Sequence, residues 1–325
     1  MKSFEYAAPK TLKEALGLLN ANWGRTEILA GGTDLVTSLK QRVTQPDRVV
    51  SLKNIAALKG IHADKNTVRI GAMTTLAELS ADKGIQKLFP ALVTAMQNIG
   101  SAQILSAGTV GGDLCQRPRC WYFRNGFGLL GRQGDTSLVI DGDNRYHAIF
   151  GNRGPAKFVN PASLAPALIA LGASVTVVGA DEKPRAVAAA NFFRTPQNET
   201  ERETVLKPDE ILTEVILPVK ELKNATYEIR HRHGFDWPYV AATVAMHLRA
   251  GKASDVTVVL GHVAPVPWSA TAAAKVLEGV PVNEALAIRA GEAAAEGATP
   301  LSGNAYKIQM VKAAVKRAVL AAAAA

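Results

Sequence analysis

The chain has 325 residues, 48% of them hydrophobic and 20% charged, so it can bury a real core and wholesale disorder is excluded. At roughly 150 residues per domain, that length suggests two or three domains. Its formal charge of +9 suits nucleic acid, an acidic partner surface or an anionic cofactor without choosing among them; its two cysteines exclude a disulfide scaffold and a four-cysteine metal site built by this chain alone.

The start, MKSFEYAAPK, has no apolar run of signal-peptide length, so no export signal is expected. FEYAAP reads as a short strand and TLKEALGLLNAN as a helix, with Thr11 and Glu14 spaced as a capping box. EILA is a strand, GG a turn, TDLVTSLKQR a helix and VVSLK another strand. This α/β lobe ends near residue 55. A second lobe spans 56–222. TVRIGA is a strand, Thr75 and Glu78 form another capping box, and one longer helix is expected through KLFPALVTAMQNIG. SAGTVGGDL then reads as a glycine-rich turn. Residues from about 116 to 160 form an insertion rich in Arg, Gly and aromatics, without a clear period. The uncharged run Phe158 to Ala180 is long enough to span a bilayer. Pro161, Pro166, Gly172 and Gly179 interrupt it, so it reads as a helix (LAPALIALGA) and a buried strand (SVTVVGA). No membrane insertion is expected. EILTEVILPVK continues the lobe. Residues 223–325 look like an α+β domain: antiparallel strands in ATYEIRHRHGFDWPYVAATVAMHLRA and SDVTVVLGHVAP, then helices in EALAIRAGEAAAEGA and AYKIQMVKAAVKRAVL. The final AAAAA reads as a frayed helix end.

ILAGGTDL, residues 28–35, is the most informative segment. A strand runs through two glycines into a helix start containing Thr33 and Asp34. Such a turn lets backbone N–H groups gather into an anion nest. A pyrophosphate is the natural occupant. A single two-glycine turn is more often a plain connection. GTVGGDL, residues 108–114, is a second turn of the same kind, with Thr109 and Asp113. Two nests in adjacent lobes would grip one extended dinucleotide. Neither matches the Rossmann fingerprint or the P-loop.

ILAGGTDL, NIGSAQILSAGTVGGDL, LKPDEILTEVILP and GHVAPVPWSATAAAKVLEG occur in that order. Together they resemble the FAD-binding (medium) subunit of the xanthine dehydrogenase family of molybdenum hydroxylases, over nearly the whole chain. The resemblance implies an α+β protein: a two-lobed FAD-binding domain of the vanillyl-alcohol-oxidase type, plus a C-terminal domain with an antiparallel sheet and helices. It also implies partners. A molybdopterin-binding large subunit hydroxylates the substrate, a small subunit carries two [2Fe–2S] clusters, and the flavin subunit passes electrons to an external acceptor. The cytoplasm is the expected compartment, the periplasm being reached only by co-export with a partner.

By this resemblance, Ile28, Leu29, Ala30, Gly31, Gly32, Thr33, Asp34 and Leu35 wrap the FAD pyrophosphate. Thr109, Val110, Gly111, Gly112 and Asp113 form a second phosphate-facing turn. Ile99 and Leu212 sit against the flavin. Many relatives have a lysine where Glu228 stands, which makes Arg230 and Arg232 the cations near the cofactor; they read equally well as solvated arginines on a strand edge. Ser163 replaces an aspartate often found in the family.

QRPRCWYFRNG is similar to the branch of bacterial aldehyde oxidoreductases whose flavin subunit holds an extra [4Fe–4S] cluster. Cys120 occupies the first of its four cysteine positions. No other cysteine follows within the insertion, and His147 is its one histidine. No iron is therefore expected, arginines and aromatics would fill the space, and Cys115 and Cys120 read as two buried thiols. His231 and His233 alternate on a probable strand and read as a surface or interface pair rather than metal ligands. Arg117 to Arg132, with Trp121, Tyr122 and Phe123, could mimic a nucleic-acid surface, but a cofactor edge or subunit contact explains it equally well. No catalytic residue and no metal ligand is assigned. The alternatives to an FAD electron-transfer subunit are a stand-alone flavin oxidase and a basic binding protein.

Overall fold

The computed structural model describes residues 1–232 and 236–325. The first lobe is a three-stranded parallel sheet in the order β1 (Glu5–Ala7), β3 (Arg48–Ser51), β2 (Thr26–Leu29), with helices α1 (Leu12–Gly17) and α2 (Leu35–Lys40). Thr11 caps α1 by accepting from Glu14 N, but the Glu14 carboxylate accepts from Lys10 N, so the expected capping box is only half formed. A small core of Ala15, Leu16, Val50, Leu52 and Ile55 packs this lobe onto Leu58, Met73 and Ile211.

The second lobe is a five-stranded antiparallel sheet: β4 (Ile61–Ala63), β5 (Thr67–Gly71), β10 (Ile211–Pro218), β8 (Ser174–Val178), β9 (Pro184–Ala188). The Val- and Ile-rich β8 and β10 are strands because branched side chains pack well on a half-buried pleat. Helices α3 (Leu76–Ala81), α4 (Lys83–Leu88), α5 (Pro90–Gln97) and α6 (Ala102–Ala107) follow β5. Here Thr75 and Glu78 do form both halves of a capping box.

The single helix expected through KLFPALVTAMQNIG is two. Pro90 lacks an N–H and disfavours helical φ/ψ at Phe89, which sits at φ −130°, ψ 56°. Asn224 repairs the break, accepting from Ala91 N at 2.9 Å and donating to Leu88 O at 3.2 Å. The expected glycine-rich turn is also different: Val110–Leu114 is a short helix, α7, capped by Thr109.

The segment expected to be loop-like carries short elements: α8 (Trp121–Arg124), a hairpin of β6 (Arg132–Gln133) and β7 (Thr136–Ser137), and α9 (Leu138–Asp141). Phe123, Leu129, Leu130, Ala156 and Phe158 give it a core of its own. The run from Phe158 folds as expected into α10 (Ala165–Ala170) and β8. No helix among the described residues is long and apolar enough to cross a membrane.

The last sheet is antiparallel, ordered β11 (Lys223–Ile229), β12 (Val240–Arg249), β13 (Lys252–Gly261), β14 (Trp268–Ser269). Helices α11 (Thr271–Leu277), α12 (Glu284–Ala294) and α13 (Lys307–Ala324) follow it. Their apolar positions share a core with Ile149, Phe150 and the β12–β13 residues. Strand β12 is nearly all apolar because α13 lies on the sheet and α10 also packs on β12 and β13. Of the terminal alanines, 321–324 belong to α13, and Ala322 is fully buried rather than frayed. His231 lies beyond the end of β11, and His233 lies outside the described residues, so the expected strand pair is not seen.

Lys307 ties the insertion to the C-terminal helices. It is almost wholly buried, and its Nζ donates to His262 O at 2.9 Å and to Tyr146 O and His147 O at 3.2 Å. Burial pushes its pKa down to about 7. Asn304 Nδ2 adds a bond to His147 O at 3.1 Å.

Candidate functional site

The two glycine segments face each other across the junction of the first two lobes. A Cβ on Gly31 would stand 1.9 Å from Ala107 O, and one on Gly112 would stand 3.9 Å from Ala30 Cβ. The Gly31 backbone approaches Ala107 so closely only because Gly31 lacks a side chain, whereas a Cβ on Gly112 would make an ordinary contact with Ala30. Gly32 has φ +86°, a left-handed conformation that favours glycine.

The two segments differ in their free donors. In the second, Val110 N bonds Thr74 O, Gly111 N bonds Ala72 O, Gly112 N bonds Thr109 Oγ1 and Asp113 N bonds Thr109 O. The N–H groups of residues 110–113 are thus engaged within the protein. In the first, the N–H groups of Gly31, Gly32, Thr33, Asp34 and Leu35 meet no protein acceptor among the described residues. Of the two expected nests, the segment before α2 keeps a row of five open donors, while helix formation over 110–114 and its contact with β5 engage the second segment from Val110 to Asp113, leaving Thr109 N without an acceptor among the described residues.

Two clefts open beside these segments and meet at Thr33, Asp34, Thr109, Gly112 and Gln116. The larger encloses about 1440 Å³ including its open mouth, the smaller about 700 Å³. Ile28, Ala30, Gly31, Gly32, Leu35, Gly111 and Leu212 line the larger cleft. Ile99, Asp113 and Arg230 line the smaller one. Ile99 and Leu212, expected on one ring system, therefore stand in different clefts. A bulge in β10 between Leu212 and Glu214 breaks the pairing beside the larger cleft. Leu29 and Val110 support the turns from behind, and Arg232 borders neither cleft.

The carboxylates face inward. Asp34 does not cap α2. Its Oδ2 accepts from Arg117 N at 2.8 Å, and its Oδ1 accepts from Arg124 Nη2 and Arg119 Nη1 at 2.9 Å. Arg117 Nε donates to Glu203 Oε1 at 2.8 Å. The insertion is thus fastened by its arginines to the first glycine segment. Burial pulls the Arg119 guanidinium below its ordinary pKa, against the opposing pull of Asp34.

Asp113 holds the chain ahead of α10. Its carboxylate accepts from Leu164 N at 2.9 Å, Ser163 N at 3.3 Å and Gln116 Nε2 at 2.9 Å. Burial outweighs these bonds and raises its pKa to about 6. The folded pKa lies above the ordinary value of 3.8, so the associated stability is present at low pH and is lost as pH rises from about 4 through about 6. Asp113→Asn should flatten that part of the melting-temperature profile. A wild-type slope that persists in the variant would assign the proton to another group.

Residues 2–220 match the family model described as the FAD binding domain in molybdopterin dehydrogenase. The chain belongs to that FAD-binding family. Residues 225–322 match the CO dehydrogenase flavoprotein C-terminal domain. The carbon monoxide dehydrogenase medium chain of Hydrogenophaga pseudoflava is 28% identical over 324 residues, covering 98% of this chain and 96% of that one. The aldehyde oxidoreductase FAD-binding subunit PaoB of Escherichia coli K12 is 27% identical over 277 residues, covering 84% of this chain and 85% of the relative. A solved structure of the Hydrogenophaga pseudoflava carbon monoxide dehydrogenase, lacking the Mo-pyranopterin moiety, superposes with a TM-score of 0.78 at 28% identity. That superposition covers 99% of this chain and 97% of the other. The expected α+β fold, FAD as cofactor and membership of the molybdenum hydroxylase group are thereby shown.

The FAD-binding chain departs from expectation at its cations and thiols. Arg230 is not a solvated strand-edge residue. Its Nε and Nη2 bond the buried Glu228 Oε2 at 3.0 and 2.5 Å, and its Nη1 bonds Asp236 O at 2.6 Å. Arg232 is exposed and pairs with Asp236. Cys115 is exposed on the wall of the larger cleft, so the expectation of two buried thiols fails there. Enclosure by the cleft walls, with Asp113 and Glu203 nearby, still pushes its thiol up to about 12. Cys120 Sγ lies 3.1 Å from His147 Nε2. Burial raises the thiol's pKa and lowers the imidazole's to about 4, so both groups are neutral at pH 7. Trp121, Tyr122 and Tyr146 pack around them. No group of three or more possible metal ligands occurs among the described residues.

Sequence reading missed Gln116, Trp23, Arg202 and Glu203, and placed Arg117 and Arg119 only within a basic stretch that could be a cofactor edge or a subunit contact. All line a cleft. Arg202 stacks over Trp23 at 4.7 Å, beside Glu27, which accepts from Thr44 at 3.0 Å. The arginines of QRPR, directly after GGDL, were the one available signal.

Proposed function

We propose that the chain carries electrons within a molybdenum hydroxylase complex, from a [2Fe–2S] small subunit to FAD and on to an external acceptor. The large partner would bind molybdopterin and oxidise the substrate. The observation that supports this reading is the row of open N–H groups from Gly31 to Leu35, at the meeting point of two clefts in a chain of the FAD-binding family. Bound there, FAD supplies the redox centre.

The residues have distinct tasks in this reading. The N–H groups of residues 31–35 hold the pyrophosphate, with the Thr33 hydroxyl beside them. Ile28, Leu29, Ala30 and Asp34 set the shape of that segment. Thr109, Val110, Gly111, Gly112 and Asp113 form the opposite wall, admitting the dinucleotide because Gly112 has no side chain. Ile99 and Leu212 border the two ring systems. Arg230, fixed by Glu228, lends charge to the smaller cleft, while Arg232 stays outside. The units are 1–55, 56–222 with the insertion, and 223–325. The compartment is the cytoplasm, unless a partner exports the complex. The reading assigns no iron to this chain, so electrons reach FAD directly from the partner.

The test uses the separated subunit. It should bind one FAD non-covalently and oxidise neither aldehydes nor purines. Substrate-driven bleaching of its flavin would refute an electron-transfer role and favour a stand-alone oxidase.

A further inference from the structure

The three arginines gathered at Asp34 are not equivalent. Arg124 has every nitrogen engaged: Nε on Pro118 O at 2.8 Å, Nη1 on Ser38 Oγ at 2.7 Å, and Nη2 on Asp34 Oδ1 and Arg117 O at 2.9 Å. Arg117 uses its Nε on Glu203. Arg119 reaches Asp34 Oδ1 with Nη1 and Gln116 Oε1 with Nη2 at 3.2 Å. Its Nε is buried and meets no acceptor among the described residues. A guanidinium has five donors, so several here are unused.

The protein itself encloses that Nε, but the side chain stays 25% exposed, so the hydrogens a ligand can reach are the remaining ones on Nη1 and Nη2. Three facts place this guanidinium at the cofactor. Arg119 lines the smaller cleft, and both its partners, Asp34 and Gln116, belong to the junction where the clefts meet. Asp34 N is itself one of the open N–H groups. The guanidinium also lies 4.4 Å from the centre of the Trp237 ring, which borders the same cleft. Stacking and two bonds hold a planar cation beside the open N–H row, which suits recognition of a phosphate group.

We propose that Arg119 is a cofactor-binding residue whose charge and unused N–H donors hold the pyrophosphate of FAD. This rests on the FAD reading above and extends it. It gives the insertion a task that needs no iron: it supplies a cation to a phosphate site that the first glycine segment builds from backbone alone.

The full-length chain, stripped of flavin, is titrated with FAD by fluorescence, and ADP is used as a competitor that carries the pyrophosphate without the flavin. Arg119→Gln should weaken FAD and ADP together, by about tenfold or more, as for loss of a charge-assisted contact worth about 1.4 kcal/mol per tenfold. Arg145→Gln, an exposed insertion residue paired with Asp143, should stay within about twofold. Arg119→Lys keeps the charge but not the planar fork, and should lose about threefold on both ligands. Affinities unchanged in a folded Arg119→Gln would make Arg119 a mere strut against Trp237 and overturn the proposal. FAD weakened with ADP unchanged would overturn the pyrophosphate assignment in favour of the flavin ring. If Arg119→Gln does not fold, Arg119→Lys decides, and wild-type affinity in it overturns the proposal. Failure of the wild-type chain to bind FAD would refute the underlying FAD reading, a separate result.

Discussion

Gly112→Val is expected to leave the protein folded and without flavin. Gly112 lies inside α7, where a β-branched residue is tolerated at a modest loss of helix propensity. Its Cβ would press on Thr109 Oγ1 at 2.9 Å, a hydroxyl that can turn away at the expense of a helix cap worth about 1 kcal/mol. The methyl groups would then occupy the gap toward Ala30, where both clefts meet. A loss of about 100-fold or more in FAD affinity, near 2.7 kcal/mol, is expected. The ratio of flavin to protein absorbance after purification, with far-ultraviolet circular dichroism as the folding control, reads this directly. Wild-type flavin content in a folded variant would sink the assignment. Gly32→Val should also lose flavin, but its positive φ strains the backbone as well, so it is the less clean probe.

Gly31→Ala should strike stability first. Its Cβ would meet backbone, with Ala107 O at 1.9 Å, Ala107 C at 2.8 Å and Gly108 Cα at 3.0 Å. No rotamer change relieves a clash with backbone, so the first lobe must move off the segment between α6 and α7. Overpacking of this kind costs about 3 kcal/mol. At about 2–4 °C per kcal/mol, the melting temperature should fall by roughly 6–12 °C. Gly17→Ala is the matched control: nothing lies within 4 Å of the added Cβ. Equal melting temperatures for the two variants would show that the segments do not pack so closely in solution.

Much of this was legible in the sequence because it is local. Apolar period, Val- and Ile-rich runs and the Thr75–Glu78 spacing act within a few residues, so β8, β10, α3 and α10 fell where they were read. The helix break at Pro90 was legible too, since the missing N–H and the restriction on Phe89 are intrinsic to proline, yet the apolar pattern on either side masked it. Four ordered motifs carried the family and the cofactor.

The electrostatics of the site were not legible, because each decisive contact joins residues far apart in the chain. Asp34 read as part of a helix start that wraps the pyrophosphate. Its partners are Arg117, Arg119 and Arg124, more than eighty residues on. Asp113 looked phosphate-facing, but Ser163 and Leu164 claim its oxygens from fifty residues away. The same holds for the nests. In sequence, GGTD and GTVGGD are alike. The difference arises when β5 and the residues after it offer Ala72 O and Thr74 O to the second segment, leaving the first without acceptors. Glycine content by itself determined where backbones approach closely. Which N–H groups remain open for a phosphate depends on what the rest of the chain brings against them, and only the tertiary structure decides that.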